Sequence, residues 1–205
     1  MNRRTILSLA SVAAAGAIAG RAYAQQPAAP RADAVPGSVP KPKQTSLGLY
    51  MTPREAADVM ARDGTRTLFV DVRTRAEMMF TGWAPLIDGN VPFVEVTEFW
   101  DWDDKENRYK LEPNATFSQG VGRLLAAKGL ARTDRVILMC RSGDRSARAA
   151  DKLAEAGYTQ VYSQYEGFEG DMSPAGHRNV NGWRNAGLPW TYKPDKAKFY
   201  LGIGG

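Results

Sequence analysis

Residues 136–146 read VILMCRSGDRS, and this stretch decides the fold of the chain. Its first four residues form a continuous apolar run, which is typical of a strand buried on both faces of a sheet. The glycine-containing loop that begins at Cys140 leads into a helical pattern, which runs from about Asp144 to Ala156 and which Gly157 ends. A buried strand, a tight loop and a helix in succession predict the carboxyl edge of a parallel sheet, where α/β proteins bind ligands.

The same alternation of strands and helices continues on both sides of this stretch. Residues 52–55, TPRE, predict a helix start with a capping box, and Gly64 predicts the end of that helix. Residues 68–72 and 160–163 predict two further buried strands, and residues 117–130 predict another helix. Strands separated by helices of this length indicate an α/β fold, with a parallel sheet and helices on both faces.

The first 24 residues, MNRRTILSLASVAAAGAIAGRAYA, resemble an export signal. Paired arginines precede an apolar stretch of 15 residues, and small residues stand before a cleavage site at Ala24. Because about 20 apolar residues are needed to span a bilayer, we expect no stable membrane insertion after cleavage. An uncleaved anchor is the alternative. The signal predicts a periplasmic protein, exported by the Tat pathway, which the arginine pair favours, or by the Sec pathway.

Proline content divides the rest of the chain. Residues 25–46 hold five of the 12 prolines and few large apolar residues, which predicts an extended linker. The folded domain is predicted over residues 47–190, and residues 191–205 are interpreted as a C-terminal tail.

Composition excludes several classes of function. One Cys and one His rule out a disulfide framework and a zinc site built from these residues, and a Ser-His-Asp enzyme would have to use His177. The net charge of +5 includes three arginines in the first 24 residues, so the remainder has 24 basic and 22 acidic residues, or +2. We therefore expect no nucleic-acid partner.

The loop after the central strand has the features of a nucleophile site. A tight turn between a strand and a helix directs backbone N–H groups and the positive end of the helix dipole to its centre. These groups favour a thiolate at Cys140, and Arg141 and Arg145 add positive charge. Gly143 allows a backbone conformation that a side chain would disfavour. Cys140 is therefore predicted to be a nucleophile that needs no general base, in a cup that also holds an anionic substrate.

The alternative is a buried cysteine that only fills space at the end of a core strand. Cys140 follows the strand instead of lying inside it, and its loop holds two arginines. An exported chain also gains nothing from an unpaired thiol that has no use. These observations favour a functional Cys140.

At this point the sequence resembles the rhodanese (sulfurtransferase) family. Residues 140–146, CRSGDRS, are similar to the active-site loop Cys-Arg-x-Gly-x-Arg-Ser of that family. Residues 69–73, FVDVR, resemble its first-strand signature. Residues 167–170, GFEG, and 182–190, GWRNAGLPW, are similar to the segments that close single-domain rhodaneses. The resemblance covers about residues 46–190.

The resemblance implies both a fold and a reaction. The fold would be a five-stranded parallel sheet flanked by helices, and the reaction would transfer a sulfane sulfur through a persulfide on Cys140. The donor would be thiosulfate, a polysulfide or a persulfide, and the acceptor would be a thiol or cyanide. No cofactor or metal is required. The predicted substrate-binding loop consists of Arg141, Ser142, Gly143, Asp144, Arg145 and Ser146.

The arginines are assigned different roles. Arg141 and Arg145 are expected to orient the anionic donor and to offset its charge as it meets a thiolate. The alternative for Arg145 is an ion pair with an acid such as Asp71. Arg73 is expected to be structural, together with Asp71.

Two segments depart from the family pattern. Residues 82–90, GWAPLIDGN, stand where the family usually has Gly-His-Ile-x-Gly-Ala. Residues 98–106, EFWDWDDKE, form an insertion. The aromatic residues of this insertion, in the region 97–112, would anchor a protein partner if they are exposed. We expect instead that they fold back and cover the sheet edge or the site.

Two other functions remain open. The first is a sulfur-carrier or partner-binding module, in which Cys140 exchanges sulfur with a protein and turns over free substrates slowly. The second is a phosphatase or arsenate reductase, because related folds also use an anion loop that runs from Cys to Arg. Those loops are one residue longer than the four residues between Cys140 and Arg145, which disfavours this function.

Overall fold

The computed structural model describes residues 39–201. The predicted export signal and the predicted linker up to residue 38 lie outside the described residues. Within residues 39–201 the strands are β1 (Tyr50–Met51), β2 (Thr67–Asp71), β3 (Gly89–Asn90), β4 (Val94–Val96), β5 (Trp102–Asp103), β6 (Arg108–Tyr109), β7 (Leu111–Pro113), β8 (Arg135–Met139) and β9 (Val161–Gln164). The α-helices of this part of the chain are α1 (Pro53–Asp63), α2 (Arg75–Thr81), α3 (Phe117–Ala127) and α4 (Asp144–Glu155).

A five-stranded parallel sheet, in the order β1-β9-β8-β2-β3, forms the centre of the described residues. β2 and β8 pair from Thr67 and Arg135 to Asp71 and Met139. Their side chains are almost all buried, because helices cover both faces of the sheet. The predicted α/β fold, a five-stranded parallel sheet flanked by helices on both faces, is confirmed.

The two faces of the sheet carry separate apolar cores, because successive side chains of a strand point to opposite faces. Leu68, Val136 and Leu138 pack with residues of α3 and α4 on one face. Phe69 and Ile137 pack with residues of α1 and α2 and with Trp183 on the other. The sheet therefore holds the carboxyl ends of β2, β8 and β9 at fixed positions between two packed layers.

Capping boxes start the first two helices. Thr52 caps α1 and exchanges hydrogen bonds with Glu55, as predicted. Gly64 follows the helix, but its φ of −56° places it in a 3-10 turn and not in the left-handed cap that a terminal glycine suggests. Thr74 caps α2 in the same way as Thr52, a helix that the sequence analysis did not predict. No helix among residues 39–201 is long and apolar enough to cross a bilayer.

The N-terminal boundary of the domain differs from the prediction. Residues 39–46 were assigned to the linker, yet Val39 is only 2% exposed and Lys43 is buried. The Lys43 ammonium lies 2.7 Å from the Asp171 carboxylate, and Ser46 donates to Asp151 of α4. A short proline-containing 3-10 turn has no apolar periodicity, so the sequence pattern did not reveal that it packs on the domain.

The predicted tail also packs on the domain, as far as residue 201. Thr191 bridges to Trp83, and the Trp83 indole N–H donates to the carbonyl of Lys193 at 2.8 Å. The Phe199 ring lies edge-on to Trp83, and the Tyr200 hydroxyl is 3.0 Å from that of Thr116. Trp190 is therefore not the end of the packed chain.

The insertion forms an antiparallel extension beyond the edge strand β3. β4 pairs with β7, and β5 pairs with β6 at its far end. The aromatic side chains do not fold back as expected: Phe99 is 83% exposed, Trp100 56% and Trp102 48%. Trp100 and Trp102 instead pack edge-on against Tyr109, within the hairpin itself. A two-stranded ribbon has too little surface to bury these rings.

Candidate active site

Cys140 follows β8 directly and lies at the carboxyl edge of the sheet, between the ends of β2 and β9. Its side chain is 1% exposed and packs with the apolar core on one side. The Gly143 N–H donates to the Cys140 Sγ at 3.1 Å. The next residue, Asp144, begins the 12-residue helix α4, so the positive end of the helix dipole also faces this region. A backbone N–H donor and the N-terminus of α4 therefore both face the Cys140 sulfur.

Two glycines allow the loop to lie this close to the rest of the domain. Gly143 has φ of +100°, and a Cβ there would collide with the carbonyl oxygen of Tyr165. Gly167 has φ of +73°, and a Cβ there would collide with the backbone of Arg141. The segment that contains Gly167 also holds the Cys140 loop, because the Phe168 N–H donates to the Cys140 carbonyl at 2.7 Å.

The remaining polar residues of the loop have structural contacts. The Ser146 hydroxyl donates to the Gly143 carbonyl at 2.9 Å and lies 3.0 Å from the Ser163 hydroxyl. The Asp144 carboxylate pairs with Arg148, one turn along α4. Ser142 is half-buried. These contacts fix the backbone of the loop, while Arg141 and Arg145 are the residues that give it positive charge.

Arg145 is paired with an acid, and the acid is not the one that the sequence analysis considered. Its guanidinium donates to Glu77 of α2 at 2.7 and 2.5 Å. Burial raises the pKa of Glu77, but the hydrogen bonds and charge of Arg145 outweigh this and lower the pKa from 4.5 to about 2. Conversely, although burial lowers the pKa of Arg145, the Glu77 carboxylate raises it above its ordinary value. Asp71, the acid named in the alternative for Arg145, is bound by Arg73 instead.

Asp71 and Arg73 form a buried ion pair beside the loop. The Arg73 Nη2 lies 2.7 Å from Asp71 Oδ2, and both side chains are fully buried. Arg73 also donates to the Thr81 hydroxyl at 2.8 Å, and its guanidinium stacks 4.0 Å from the centre of the Phe168 ring. This pair connects the end of β2 to the end of α2 and to the segment that holds the Cys140 loop.

Arg141 has a different environment. Its side chain is half-buried, and its Nε is buried without a hydrogen-bond partner among residues 39–201. Burial lowers the pKa of Arg141, and the nearby charge of Arg178 lowers it further. Arg178 lies in the segment between residues 170 and 182, and it donates to the Gly170 carbonyl at 2.7 Å.

Three charged residues near the loop were not identified from the sequence. Glu77 belongs to the capping pattern TRAE at residues 74–77, which has the same form as TPRE at residues 52–55 and could have been recognised. Lys43 and Arg178 had no recognisable signal, because only the folded chain brings them to the loop. No group of three or more His, Cys, Asp or Glu residues within the described range is arranged to hold a metal ion.

Comparisons with known proteins place this geometry in a family. The family model of the rhodanese-like domain matches residues 52–172. The crystal structure of Rv0390 from M. tuberculosis is 32% identical, covers 70% of this chain and 96% of that one, and has a TM-score of 0.51.

Two other matches are shorter or structurally less similar. The uncharacterized protein RP600 of Rickettsia prowazekii is 37% identical over 57 residues, which are 28% of this chain and 42% of that protein. The solution structure of a polysulfide-sulfur transferase homodimer from Wolinella succinogenes is 16% identical, covers 77% of this chain and 82% of that one, and has a TM-score of 0.40. The family match over residues 52–172 and the similarity to Rv0390 are sufficient: the chain belongs to the rhodanese-like domain family.

Proposed function

We propose that the protein is a sulfurtransferase, which moves a sulfane sulfur from thiosulfate, a polysulfide or a persulfide to a thiol or cyanide through a persulfide on Cys140. The observation that carries this proposal is the backbone hydrogen bond from Gly143 to the Cys140 sulfur, at the start of α4. Such donors stabilise an anionic sulfur, and both the thiolate and the persulfide are anions. Membership of the rhodanese-like family supports the same chemistry.

The reaction has two steps. The Cys140 thiolate attacks the outer sulfur of thiosulfate, the new S–S bond forms, the old one breaks, and sulfite leaves with the bonding electron pair. A thiolate or cyanide then attacks the outer sulfur of the persulfide and regenerates the Cys140 thiolate. Because Cys140 is 1% exposed, the reacting sulfur of the donor must enter the loop, which favours small donors or a slender persulfide group.

The loop residues divide into two groups in this proposal. Arg141 binds the anionic donor, because no carboxylate occupies its guanidinium among the described residues. Arg145 is a positioning residue: its guanidinium is bound by Glu77, so it fixes the first turn of α4 relative to α2. Ser142, Gly143, Asp144 and Ser146 shape the backbone around the sulfur.

Intact-mass spectrometry after incubation with thiosulfate tests the proposal. We expect the protein to gain one sulfur atom, about 32 Da, and cyanide to remove it, while Cys140→Ala gains nothing. A gain with polysulfide but not with thiosulfate would keep the reaction and change the donor. No gain with any sulfane donor would overturn the proposal and favour an oxyanion-binding function instead.

The exposed hairpin favours a second candidate, a module that exchanges sulfur with a protein partner. Phe99, Trp100 and Trp102 are exposed together, at the end of an extension whose base is tied to α2 by the Arg75–Glu95 ion pair. Exposed aromatic clusters are characteristic of protein-binding surfaces. Slow turnover of thiosulfate together with fast sulfur transfer from a persulfidated protein would support the carrier, and Trp100→Ala should slow this transfer. Equal transfer rates for Trp100→Ala and the unmodified protein would exclude a role for the hairpin.

We further propose that residues 1–24 direct export to the periplasm and are then removed. The mass of the protein isolated from its own cells tests this directly. A chain that begins at Gln25 supports cleavage after Ala24, whereas a chain that begins at Met1 contradicts it.

A further inference from the structure

Most of the positive charges around the Cys140 loop are matched by a carboxylate. The guanidinium groups of Arg141 and Arg178 are different: within residues 39–201, neither has a carboxylate at ion-pair distance. The matched pairs are Arg73 with Asp71, Arg145 with Glu77, Arg184 with Glu169, and Lys43 with Asp171. Within the described part of the chain, two of the cations beside the loop therefore have no ion-pair partner of their own, although the charges of Glu77 and Glu169 also act on Arg141.

The fold brings these two arginines to the same residue. Gly170 N–H donates to the Arg141 carbonyl at 3.1 Å, and the Gly170 carbonyl accepts from Arg178 at 2.7 Å. The chain between Gly170 and Gly182 is a closed loop, because Asp171 N–H donates to the Asn181 side chain at 2.7 Å. This closure brings Arg178 back to Gly170, which is hydrogen-bonded to the backbone of Arg141 in the Cys140 loop.

Placing two unmatched guanidinium groups together is unfavourable for the protein alone. Like charges repel, and the charge of Arg178 lowers the pKa of Arg141. The buried Nε of Arg141 also lacks an acceptor among residues 39–201, and a buried donor without an acceptor is destabilising. An anion that lies between the two groups would remove both costs.

We propose that Arg141 and Arg178 together recognise the second negative charge of a dianionic sulfane donor. This inference rests on the sulfurtransferase proposed above, and it adds a specificity-determining residue from a loop outside residues 140–146. Thiosulfate is such a donor: its reacting sulfur enters the Cys140 loop, and its sulfonate oxygens accept hydrogen bonds from the two guanidinium groups.

A pair of donors isolates this second charge. Thiosulfate and benzenethiosulfonate transfer the same sulfur to the Cys140 thiolate, and they release sulfite and benzenesulfinate respectively. In both reactions the sulfur–sulfur bond of the donor breaks as the persulfide bond forms, and the leaving group takes the electron pair. The first donor is a dianion and the second a monoanion, so only the first has the charge that Arg178 would bind.

The test compares Arg178→Gln with the unmodified protein on both donors. We expect kcat/KM for thiosulfate to fall about 10- to 100-fold, mainly through KM, while kcat/KM for benzenethiosulfonate changes less than about 3-fold. Arg178→Lys keeps the charge and should recover part of the loss. Arg62→Gln, an exposed arginine at the end of α1, is the matched control and should change neither donor.

Other outcomes overturn the inference. An equal loss for both donors would show that Arg178 only supports the loop, and a lowered melting temperature of Arg178→Gln would accompany it. No loss for either donor would show that Arg178 does not contact the donor. Failure of the sulfurtransferase proposal is distinguishable from these results, because the unmodified protein would then accept sulfur from neither donor.

Discussion

Arg145 donates two hydrogen bonds to Glu77, so one of the two cations of the Cys140 loop is neutralised by a carboxylate from α2. The same carboxylate completes the capping box of α2 by accepting from Thr74 at 3.0 Å. One side chain therefore fixes both the start of α2 and the first turn of α4. The positive charge that binds an anionic sulfur donor must therefore come from other residues, and Arg141 and Arg178 are the candidates.

The Glu77 carboxylate makes stability depend on pH. Its pKa is lowered from 4.5 to about 2, so its contribution is complete above pH 4.5 and is lost as the pH falls towards 2. Glu77→Gln keeps the capping geometry but removes the charge. We expect this variant to lose about 3 kcal/mol of unfolding free energy at pH 7, from a shift of about 2.5 units, and almost nothing near pH 2. Urea unfolding at several pH values measures the difference.

Glu155→Gln is the control for this experiment, because Glu155 forms an exposed pair with Lys152 on α4. Its effect should stay within about 0.5 kcal/mol at every pH. A Glu77→Gln penalty that is the same at pH 7 and near pH 2 would contradict the charge assignment.

Gly143 is expected to tolerate no side chain. Gly143→Ala combines a positive φ with a collision against the Tyr165 carbonyl, so we expect a loss of about 3 kcal/mol or more and no persulfide formation. Gly129→Ala is the matched control, because Gly129 also has a positive φ but nothing lies within 4 Å of its added Cβ. It should cost about 1–2 kcal/mol. Equal costs in thermal unfolding would show that the close approach is unimportant.

The Lys43–Asp171 pair should couple the N-terminal segment to the rest of the domain. In a double-mutant cycle of Lys43→Met and Asp171→Asn, we expect a coupling energy of about 1 kcal/mol or more, because Lys43 is buried. The exposed Arg108–Glu106 pair is the comparison and should give about 0.5 kcal/mol or less. Similar couplings from urea unfolding would mean that residues 39–46 are held weakly.

The tryptophans should separate into two classes. Trp183 is fully buried, and its indole N–H donates to Pro189, so Trp183→Ala should cost about 3–5 kcal/mol. Trp100→Ala and Trp102→Ala should each cost at most about 1 kcal/mol, because both rings are about half exposed on the hairpin. Chemical denaturation measures all three variants. A large loss for Trp100→Ala would indicate that the hairpin packs on the core.

Features that depend on neighbouring residues could be predicted from the sequence. The capping box at Thr52, the buried runs of β2 and β8 and the Cys140 loop all follow from patterns within a dozen residues. Each strand boundary in these runs lies within one residue of its prediction. The strands β1 and β3 have only two residues each, too few to show any periodicity, so only the family resemblance implied five strands.

The sequence by itself determined the order of strands and helices and the place of Cys140 at the carboxyl edge of the sheet, because apolar periodicity and turn chemistry act locally. Only the tertiary structure decided which charges meet there. Glu77 and Arg145 are 68 residues apart, and Lys43 and Asp171 are 128 apart. Such pairs form because parallel strands place successive loops at one edge of the sheet, and the packing of the helices then selects which side chains lie within reach of one another.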